Sequence, residues 1–184
     1  MPKIWKLIFY LVLSSKLGMD VSDVFKKRNF KNVNFEYENL IGKNLSDAFL
    51  SGVDLSGFDI HNANFSGADL SNAKLRGGIL FHVNFRGADL RGTDLTEAKI
   101  WDADMYGTDM QGADLRGADL FNTNLKSSNL SNADLSGAYL KNNDFAGAIM
   151  KNTKFSNTKY DKKTIDTISD NNTKLRLKNQ GIIW

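Results

Sequence analysis

The chain has 184 residues, 41% of them apolar, which is enough for one domain with a buried core. It contains no cysteine, which excludes disulfide bonds, thiolate metal sites and cysteine nucleophiles. The net charge of +3 comes from the two ends of the chain, because residues 41–160 carry 12 basic and 14 acidic side chains.

The first 24 residues contain an apolar run, IWKLIFYLVL at residues 4–13, that is too short to span a bilayer as a helix. It has the character of a signal-peptide core, although the following SSKLG is a poor cleavage site. The alternatives are a cap that ends near Gly18 and covers the first repeats, or translation that begins at Met19. We expect a cytoplasmic protein, exported only if residues 1–18 act as a signal, with membrane contact only if the run is an anchor.

Residues 25–160 follow a period of five without insertion or deletion. Every position divisible by five, here named i, carries Phe, Leu, Ile, Met or Tyr at all 28 places from Phe25 to Tyr160. Position i−2 is Ala, Gly, Ser or Thr in 19 of 23 cases, i−1 is Asp or Asn in 15 of 22, and i+2 is Gly or Asn in 18 of 22. A period of five fits neither a regular helix nor a regular strand.

Each of these biases has a physical cause if every pentapeptide is a short extended piece followed by a turn. Asp and Asn bond neighbouring backbone groups, while Gly and Asn tolerate the positive φ that a type II turn requires. The large residue at i and the small residue at i−2 then both point inward, into a narrow interior. Asn143, an exception at i−2, is expected to bond a backbone group.

The pattern A-(D/N)-L-x-G, as in ADLSN, ADLRG and ADLSG, resembles the pentapeptide-repeat family. The resemblance implies an all-β fold: a right-handed quadrilateral β-helix, a solenoid of about seven coils with residues 20 apart in columns and short capping segments at both ends. The expected domains are an N-terminal cap or signal-like segment at 1–24, the β-helix at 25–160 and a C-terminal cap at 161–184. The family's topoisomerase-directed members dimerise through a C-terminal module, so dimerisation is an alternative role for residues 161–184.

The sequence contains little that points to catalysis. Its two histidines, His61 and His82, lack any accompanying nucleophile, phosphate-loop or paired metal-ligand motif. A weak metal or acid–base site, formed by His82 and Asp102 one coil apart with His61 one position away from the His82 column, is the enzymatic alternative. We expect no enzyme activity, no cofactor, no metal and no direct binding of nucleic acid.

One face of the stacked coils differs from the other three. Its outward i+1 positions carry Ile41, His61, Phe81, Trp101, Phe121 and Lys141. The other faces carry mostly Ser, Lys, Arg, Thr or Gln there. We define the aromatic wall as five residues of this face: Phe81, Trp101 and Phe121 at i+1, and Ile79 and Tyr139 at i−1. Because contiguous exposed aromatic surface marks interaction sites, we predict that the aromatic wall binds a partner.

These observations predict a non-enzymatic protein-interaction scaffold that contacts an unknown protein, or a second copy of itself as a homodimer, through the aromatic wall. The intramolecular alternative is that the N-terminal run or the C-terminal tail folds over the wall. A further alternative is a DNA-mimicking modulator or protector of a type II topoisomerase such as gyrase, as the family's quinolone-resistance members are thought to be. The repeat region has 12 basic and 14 acidic residues and a net charge of −2. This negative charge is small for a DNA mimic. A secreted effector is the remaining alternative.

Overall fold

The structure, a computed structural model, describes residues 39–183. Their backbone winds into a shaft whose successive coils are joined by parallel β-bridges between residues 20 apart, as between Asp94, Asp114 and Asp134. Twenty residues are four pentapeptides, so each coil contains four extended pieces and four turns. The expected stacking of residues 20 apart is therefore confirmed for this part of the chain.

Type II turns separate the extended pieces. The carbonyl of Leu115 accepts a hydrogen bond from the backbone N–H of Ala118 at 3.1 Å, and Gly117 between them has a φ of 67°. Among residues 39–183, positive φ occurs at 12 glycines and 12 other residues, all of them at position i+2. Glycine adopts this conformation without steric cost and asparagine tolerates it, which explains the sequence preference at i+2.

The core consists of the side chains at i and i−2. Leu115 at i and Ala118 at i−2 are both 0% exposed. Phe65 and Phe85, one coil apart, stack with their ring centroids 5.5 Å apart. Because a close-packed interior leaves no room for a second large side chain, the small residue at i−2 is what allows the large one at i to fit.

Asp and Asn at i−1 hold the turns through their side chains. Oδ1 of Asp114 accepts a hydrogen bond from the backbone N–H of Arg116 at 3.1 Å, and Oδ1 of Asn129 accepts from the N–H of Ser131 at 3.1 Å. Nδ2 of Asn129 also donates to Oδ1 of Asp109 in the preceding coil at 3.2 Å. The turn-holding role predicted for position i−1 is confirmed.

Asn143 occupies an inward i−2 position and is 0% exposed. Its Nδ2 donates to the carbonyl of Leu120 at 2.5 Å, which confirms the predicted bond to the backbone. Its Oδ1 has no hydrogen-bond partner among residues 39–183. A buried oxygen left without a partner costs about 1–3 kcal/mol.

Threonine fills the same position elsewhere and leaves no such atom. Thr123, Thr153 and Thr158 each donate Oγ1 to the carbonyl 23 residues earlier in the chain. Leu120, which accepts from Asn143, stands in the same relation to it. Thr and Asn also have similar volumes, so the exchange leaves the packing nearly unchanged.

We predict that Asn143→Thr raises the free energy of unfolding by about 1 kcal/mol, because the threonine hydroxyl keeps the bond to Leu120 and the unpaired oxygen disappears. Urea unfolding followed by circular dichroism measures the change. Asn143→Ala is the control, and it is expected to destabilise because it removes the bond from Nδ2 to the carbonyl of Leu120, which then accepts only from the N–H of Thr123. A threonine variant less stable than the parent would contradict the interpretation.

After Tyr160 the chain leaves the fivefold pattern and forms two helices, α1 (Lys162–Thr167) and α2 (Asn171–Gln180). Asp161 and Asp170 are their N-caps, accepting hydrogen bonds from the N–H groups of Thr164 at 2.8 Å and Thr173 at 2.7 Å. The expectation of an all-β chain is wrong for this segment. Its physical reason is that a capping aspartate starts a helix once the pattern that imposes turns every five residues has ended.

The two helices lead into a short sheet beside the last coil. Strands β1 (Tyr139–Leu140), β2 (Lys159–Tyr160) and β3 (Ile182–Ile183) pair in parallel in that order. Leu177 of α2 is 0% exposed, and the guanidinium of Arg176 donates to the carbonyls of Met150 and Thr153. Residues 161–183 thus pack against the final pentapeptides of the shaft.

The interpretations of residues 1–24, as cap, signal, anchor or a segment preceding a start at Met19, lie outside the described residues. The first expected pentapeptides, before residue 39, lie outside them too. Within residues 39–183, neither helix has the length and apolar character needed to cross a membrane.

Candidate interaction surface

The aromatic wall lies on the outer side of one face of the shaft. Along an extended piece, successive side chains point to opposite sides, so Leu120 at i is buried while Phe121 at i+1 is 39% exposed. Trp101, one coil earlier, is 38% exposed. The three remaining members, Ile79, Phe81 and Tyr139, are half-buried.

Backbone hydrogen bonds fix the register of the wall. The N–H of His82 bonds to the carbonyl of Trp101 at 2.9 Å, and the N–H of Asp102 bonds to that of Phe121 at 3.0 Å. A second ladder, at i−1 on the same face, joins Asp59, Ile79, Lys99, Asp119, Tyr139 and Lys159 in that order. The wall is therefore built from two neighbouring columns of side chains.

Two of the aromatic side chains stack, and three border a common depression. The rings of Phe81 and Trp101 stack with centroids 4.6 Å apart and planes inclined by 19°. Trp101, Phe121 and Tyr139 border a shallow depression of about 360 Å³. Ile79 does not line this depression, so the structure brings together three predicted residues directly and adds Phe81 through its stack.

Three charged residues on this face were missed by the sequence reasoning. Nζ of Lys159 lies 4.4 Å from the ring centroid of Tyr139 and 3.0 Å from its hydroxyl oxygen. Lys99 and Asp119 lie between Ile79 and Tyr139 in the i−1 ladder. The sequence contains a signal for all three, because position i−1 taken as a complete column places them beside the residues of the wall.

The C-terminal tail, one of the two proposed intramolecular covers, leaves Trp101 and Phe121 exposed. Its contacts are with the last coil, where Arg176 binds the carbonyl of Met150 and β3 pairs with β2. The other proposed cover, the apolar run at residues 4–13, lies outside the described residues.

Ile182 and Ile183 of β3 are also exposed, and Ile182 follows Lys159 in the i−1 ladder of the wall. On the other faces of the shaft, exposed apolar side chains occur singly. Phe49 and Ile149 are 50% and 57% exposed, and in their shared ladder three aspartates and an asparagine separate them. Tyr106 is 41% exposed, and the guanidinium of Arg86 lies over its ring at 4.5 Å. A contiguous aromatic surface is thus specific to the wall within residues 39–183.

Several carboxylates on the other faces are neutralised by neighbouring cations. Arg91 pairs with Asp89 at 2.5 Å and Arg116 pairs with Asp114 at 2.6 Å. The hydrogen bond from each guanidinium holds the pKa of the aspartate below its usual value. Further ion pairs join Arg86 to Asp104, Lys126 to Asp144, Lys154 to Asp134 and Lys74 to Asp54. The surface therefore alternates in sign.

The histidines make ordinary surface contacts. Nδ1 of His61 lies 2.7 Å from Oδ1 of Asp59, two residues earlier on the same face. His82 is exposed at position i+2 with a φ of 55°, and Asp102 occupies the same position one coil later. Across residues 39–183, His, Asp and Glu side chains form no group of three or more that could hold a metal ion.

Solved structures of similar shape include QnrB1, a plasmid-mediated fluoroquinolone resistance protein, with 23% identity over 67% of each chain and a TM-score of 0.44. A pentapeptide repeat protein from the Arabidopsis thaliana thylakoid lumen has 27% identity over 71% of this chain and 74% of its own, with a TM-score of 0.37. Rfr23 from the cyanobacterium Cyanothece 51142 has 27% identity over 67% of this chain and 87% of its own, with a TM-score of 0.30. No curated protein matches the sequence.

A family model described as pentapeptide repeats (8 copies) matches residues 29–67, 39–77, 79–117 and 118–157. Together these matches span more than half of the chain, and from residue 39 onward they coincide with the residues that form the turns and the β-bridges between coils. The fold is accordingly a right-handed β-helix. The chain belongs to the pentapeptide-repeat family.

Proposed function

We propose that the chain is a non-enzymatic protein-interaction scaffold that binds a protein partner through the aromatic wall. The observation that carries this proposal is the row of aromatic side chains on one face, in which Phe81 stacks on Trp101 and in which Trp101 and Phe121 are exposed at the centre. Trp, Tyr and Phe anchor binding energy because they bury a large area with few rotatable bonds. A contiguous apolar patch on an otherwise polar surface is typical of an interaction site.

The shaft supports this role because it holds the aromatic side chains in place before binding. Each wall residue is fixed by backbone hydrogen bonds to the preceding coil, so little backbone entropy is lost when a partner binds. We extend the proposal to a four-sided shaft of about seven coils, because the sequence contains 28 positions i and each coil uses four of them.

The alternative of DNA mimicry of a topoisomerase substrate has weaker support. A mimic must present a field close to one negative charge per ~1.7 Å of duplex. Here Asp89, Asp114 and other aspartates are paired with arginine or lysine, and residues 41–160 have nearly balanced charge. Fluoroquinolone resistance is a property of QnrB1, and the interaction role through the wall is the function that we favour for this chain.

Trp101→Arg tests the proposal. We expect the variant to keep the β-rich circular dichroism of the parent, because Trp101 lies outside the core, and to weaken partner binding by at least about tenfold. The measurement compares the proteins retained by immobilised parent and variant from a cell lysate, together with the oligomeric state of each in solution.

Tyr106→Arg is the matched control, since Tyr106 is an aromatic residue of similar exposure on another face. It is expected to retain the binding of the parent. If Trp101→Arg and Tyr106→Arg behave alike, in both capture and oligomeric state, the aromatic wall is not the binding surface.

A further inference from the structure

The i−1 column of the wall has a charge sequence that is complementary to its own reverse. From Asp59 to Lys159 it is acidic, apolar, basic, acidic, apolar, basic, and Ile182 of β3 follows at its end; the six members are Asp59, Ile79, Lys99, Asp119, Tyr139 and Lys159. When the same six positions are read in reverse order, a basic residue takes the place of each acidic residue and an acidic residue takes the place of each basic one. The apolar residues again occupy the second and fifth places. A second copy placed antiparallel against the first therefore brings opposite charges together at every charged step.

The two charges at the middle of the column are available for such pairing. Lys99 and Asp119 are successive members of the ladder, yet neither takes part in an ion pair within residues 39–183. The ammonium of Lys99 is exposed, and the carboxylate of Asp119 accepts only the turn-holding bond from the N–H of Phe121. On other faces, Asp89 and Asp114 each have a guanidinium in contact.

The i+1 column agrees with the same arrangement. With the symmetry axis between the coils of Trp101 and Phe121, Trp101 faces Phe121 of the second copy, which places aromatic against aromatic. Phe81 then faces Lys141 of the second copy, a favourable contact of a cation with a ring. The depression bordered by Trp101, Phe121 and Tyr139 lies at this centre and can receive the opposing aromatic side chains.

We propose that the aromatic wall is the interface of an antiparallel homodimer, in which Lys99 of each copy pairs with Asp119 of the other. The proposal rests on the proposed function, since it names the protein that the wall binds. A two-fold interface places the same patch of both copies in contact, so each favourable pair occurs twice. The steps further out add Asp59 against Lys159 of the second copy and Ile79 against Tyr139 of the second copy.

Other registers of the two shafts are unfavourable. If the axis moves by half a coil toward Lys99, Lys99 faces Lys99 of the second copy and Asp119 faces Ile79. A parallel arrangement about an axis along the shaft puts i−1 opposite i+1, so that Lys99 faces Trp101 and Asp119 faces Phe121. Because like charges and unpaired charges oppose association, the wall selects the antiparallel register.

The size of the wall sets the expected strength of the dimer. Asp59 and Lys159 are five steps apart in the ladder, which is ~24 Å at ~4.8 Å per step. A surface of that height and one face in width falls at the low end of specific protein interfaces. We therefore expect a dissociation constant of about micromolar order.

Charge reversal at the centre of the wall tests the inference in the full-length chain. Sedimentation velocity from about 1 to about 300 μM is expected to show a dimer for the parent. Lys99→Asp and Asp119→Lys are each expected to weaken the dimer at least about tenfold, since each puts two like-charged pairs at the interface. The double variant, Lys99→Asp with Asp119→Lys, is expected to recover the dimer because both pairs are restored with their signs exchanged.

Two further samples complete the test. An equimolar mixture of the Lys99→Asp and Asp119→Lys proteins is expected to form a heterodimer, although each alone is monomeric. Lys151→Asp makes the same change of charge at an exposed position on another face, and it is expected to leave the dimer intact. Circular dichroism confirms that each variant keeps the fold.

A parent that stays monomeric throughout this range overturns the inference, as does a dimer that single reversals leave unchanged or that the double variant does not recover. Neither result removes the proposed function by itself. If the parent is monomeric and Trp101→Arg still loses a captured protein that Tyr106→Arg retains, the wall binds a different protein. If Trp101→Arg changes neither capture nor oligomeric state, the proposed function fails with the inference.

Discussion

Leu115→Ala is expected to lower the free energy of unfolding by about 2–5 kcal/mol, the range for a leucine removed from a close-packed core. Leu115 is 0% exposed and lies between Leu95 and Leu135 in a column of side chains 20 residues apart. The coils above and below are tied together by backbone hydrogen bonds, such as that from Leu115 to Asp134 at 2.8 Å, so they cannot close the cavity. We therefore expect the upper half of the range.

Urea unfolding followed by circular dichroism measures this loss. Gln111→Ala, on the outer side of the same coil, is the control and should change stability by no more than about 0.5 kcal/mol. A loss for Leu115→Ala as small as that of the control would mean that position i faces solvent, which the solenoid does not allow.

The fold of the repeats was predictable because each position of the pentapeptide obeys a local requirement. Gly117 supplies the positive φ of its turn, Asp114 holds the turn through its side chain, and Ala118 leaves room for Leu115. Since these requirements recur in every repeat, the fold is maintained by the other repeats when one position departs from the pattern. Asn143 shows this, because it keeps the inward place and bonds a carbonyl through Nδ2, although its Oδ1 has no partner among residues 39–183.

The C-terminal helices were not predicted, and the reason is the absence of repetition. Residues 161–184 offer a single instance of each signal, and helices of 6 and 10 residues contain too few turns for a clear periodicity. The usable signals were Asp161 and Asp170, whose side chains cap the two helices. Acidic N-caps are too common in turns to identify a helix alone.

The positions of the wall residues followed from the sequence, whereas their contacts did not. Once residues 20 apart are stacked, Phe81, Trp101 and Phe121 must lie on one face. The stack of Phe81 on Trp101 and the contact of Lys159 with Tyr139 depend on side-chain torsion angles, which the sequence does not specify. Lys99 and Asp119 were not predicted because lysine and aspartate are common at i−1. They become informative only when their neighbours on the face are known.

Both the wall and its proposed pairing depend on the register of 20 residues, which a pair of engineered cysteines can measure. The hydroxyl oxygens of Ser51 and Ser71 lie 2.9 Å apart, and the chain has no cysteine of its own. In the double variant Ser51→Cys with Ser71→Cys, mild oxidation should close a disulfide across adjacent coils. A loop of this length is expected to add about 3 kcal/mol of stability, seen as a higher Tm.

The matched control is Ser51→Cys with Ser66→Cys, in which the two positions are 15 residues apart and lie on different faces of the shaft. Free-thiol titration after oxidation, made on both double variants, is the most direct measurement of the register. We predict that the thiols at 51 and 71 disappear while those at 51 and 66 remain. Free thiols at 51 and 71, with a disulfide between 51 and 66, would contradict the coil of four pentapeptides and the aromatic wall that it builds.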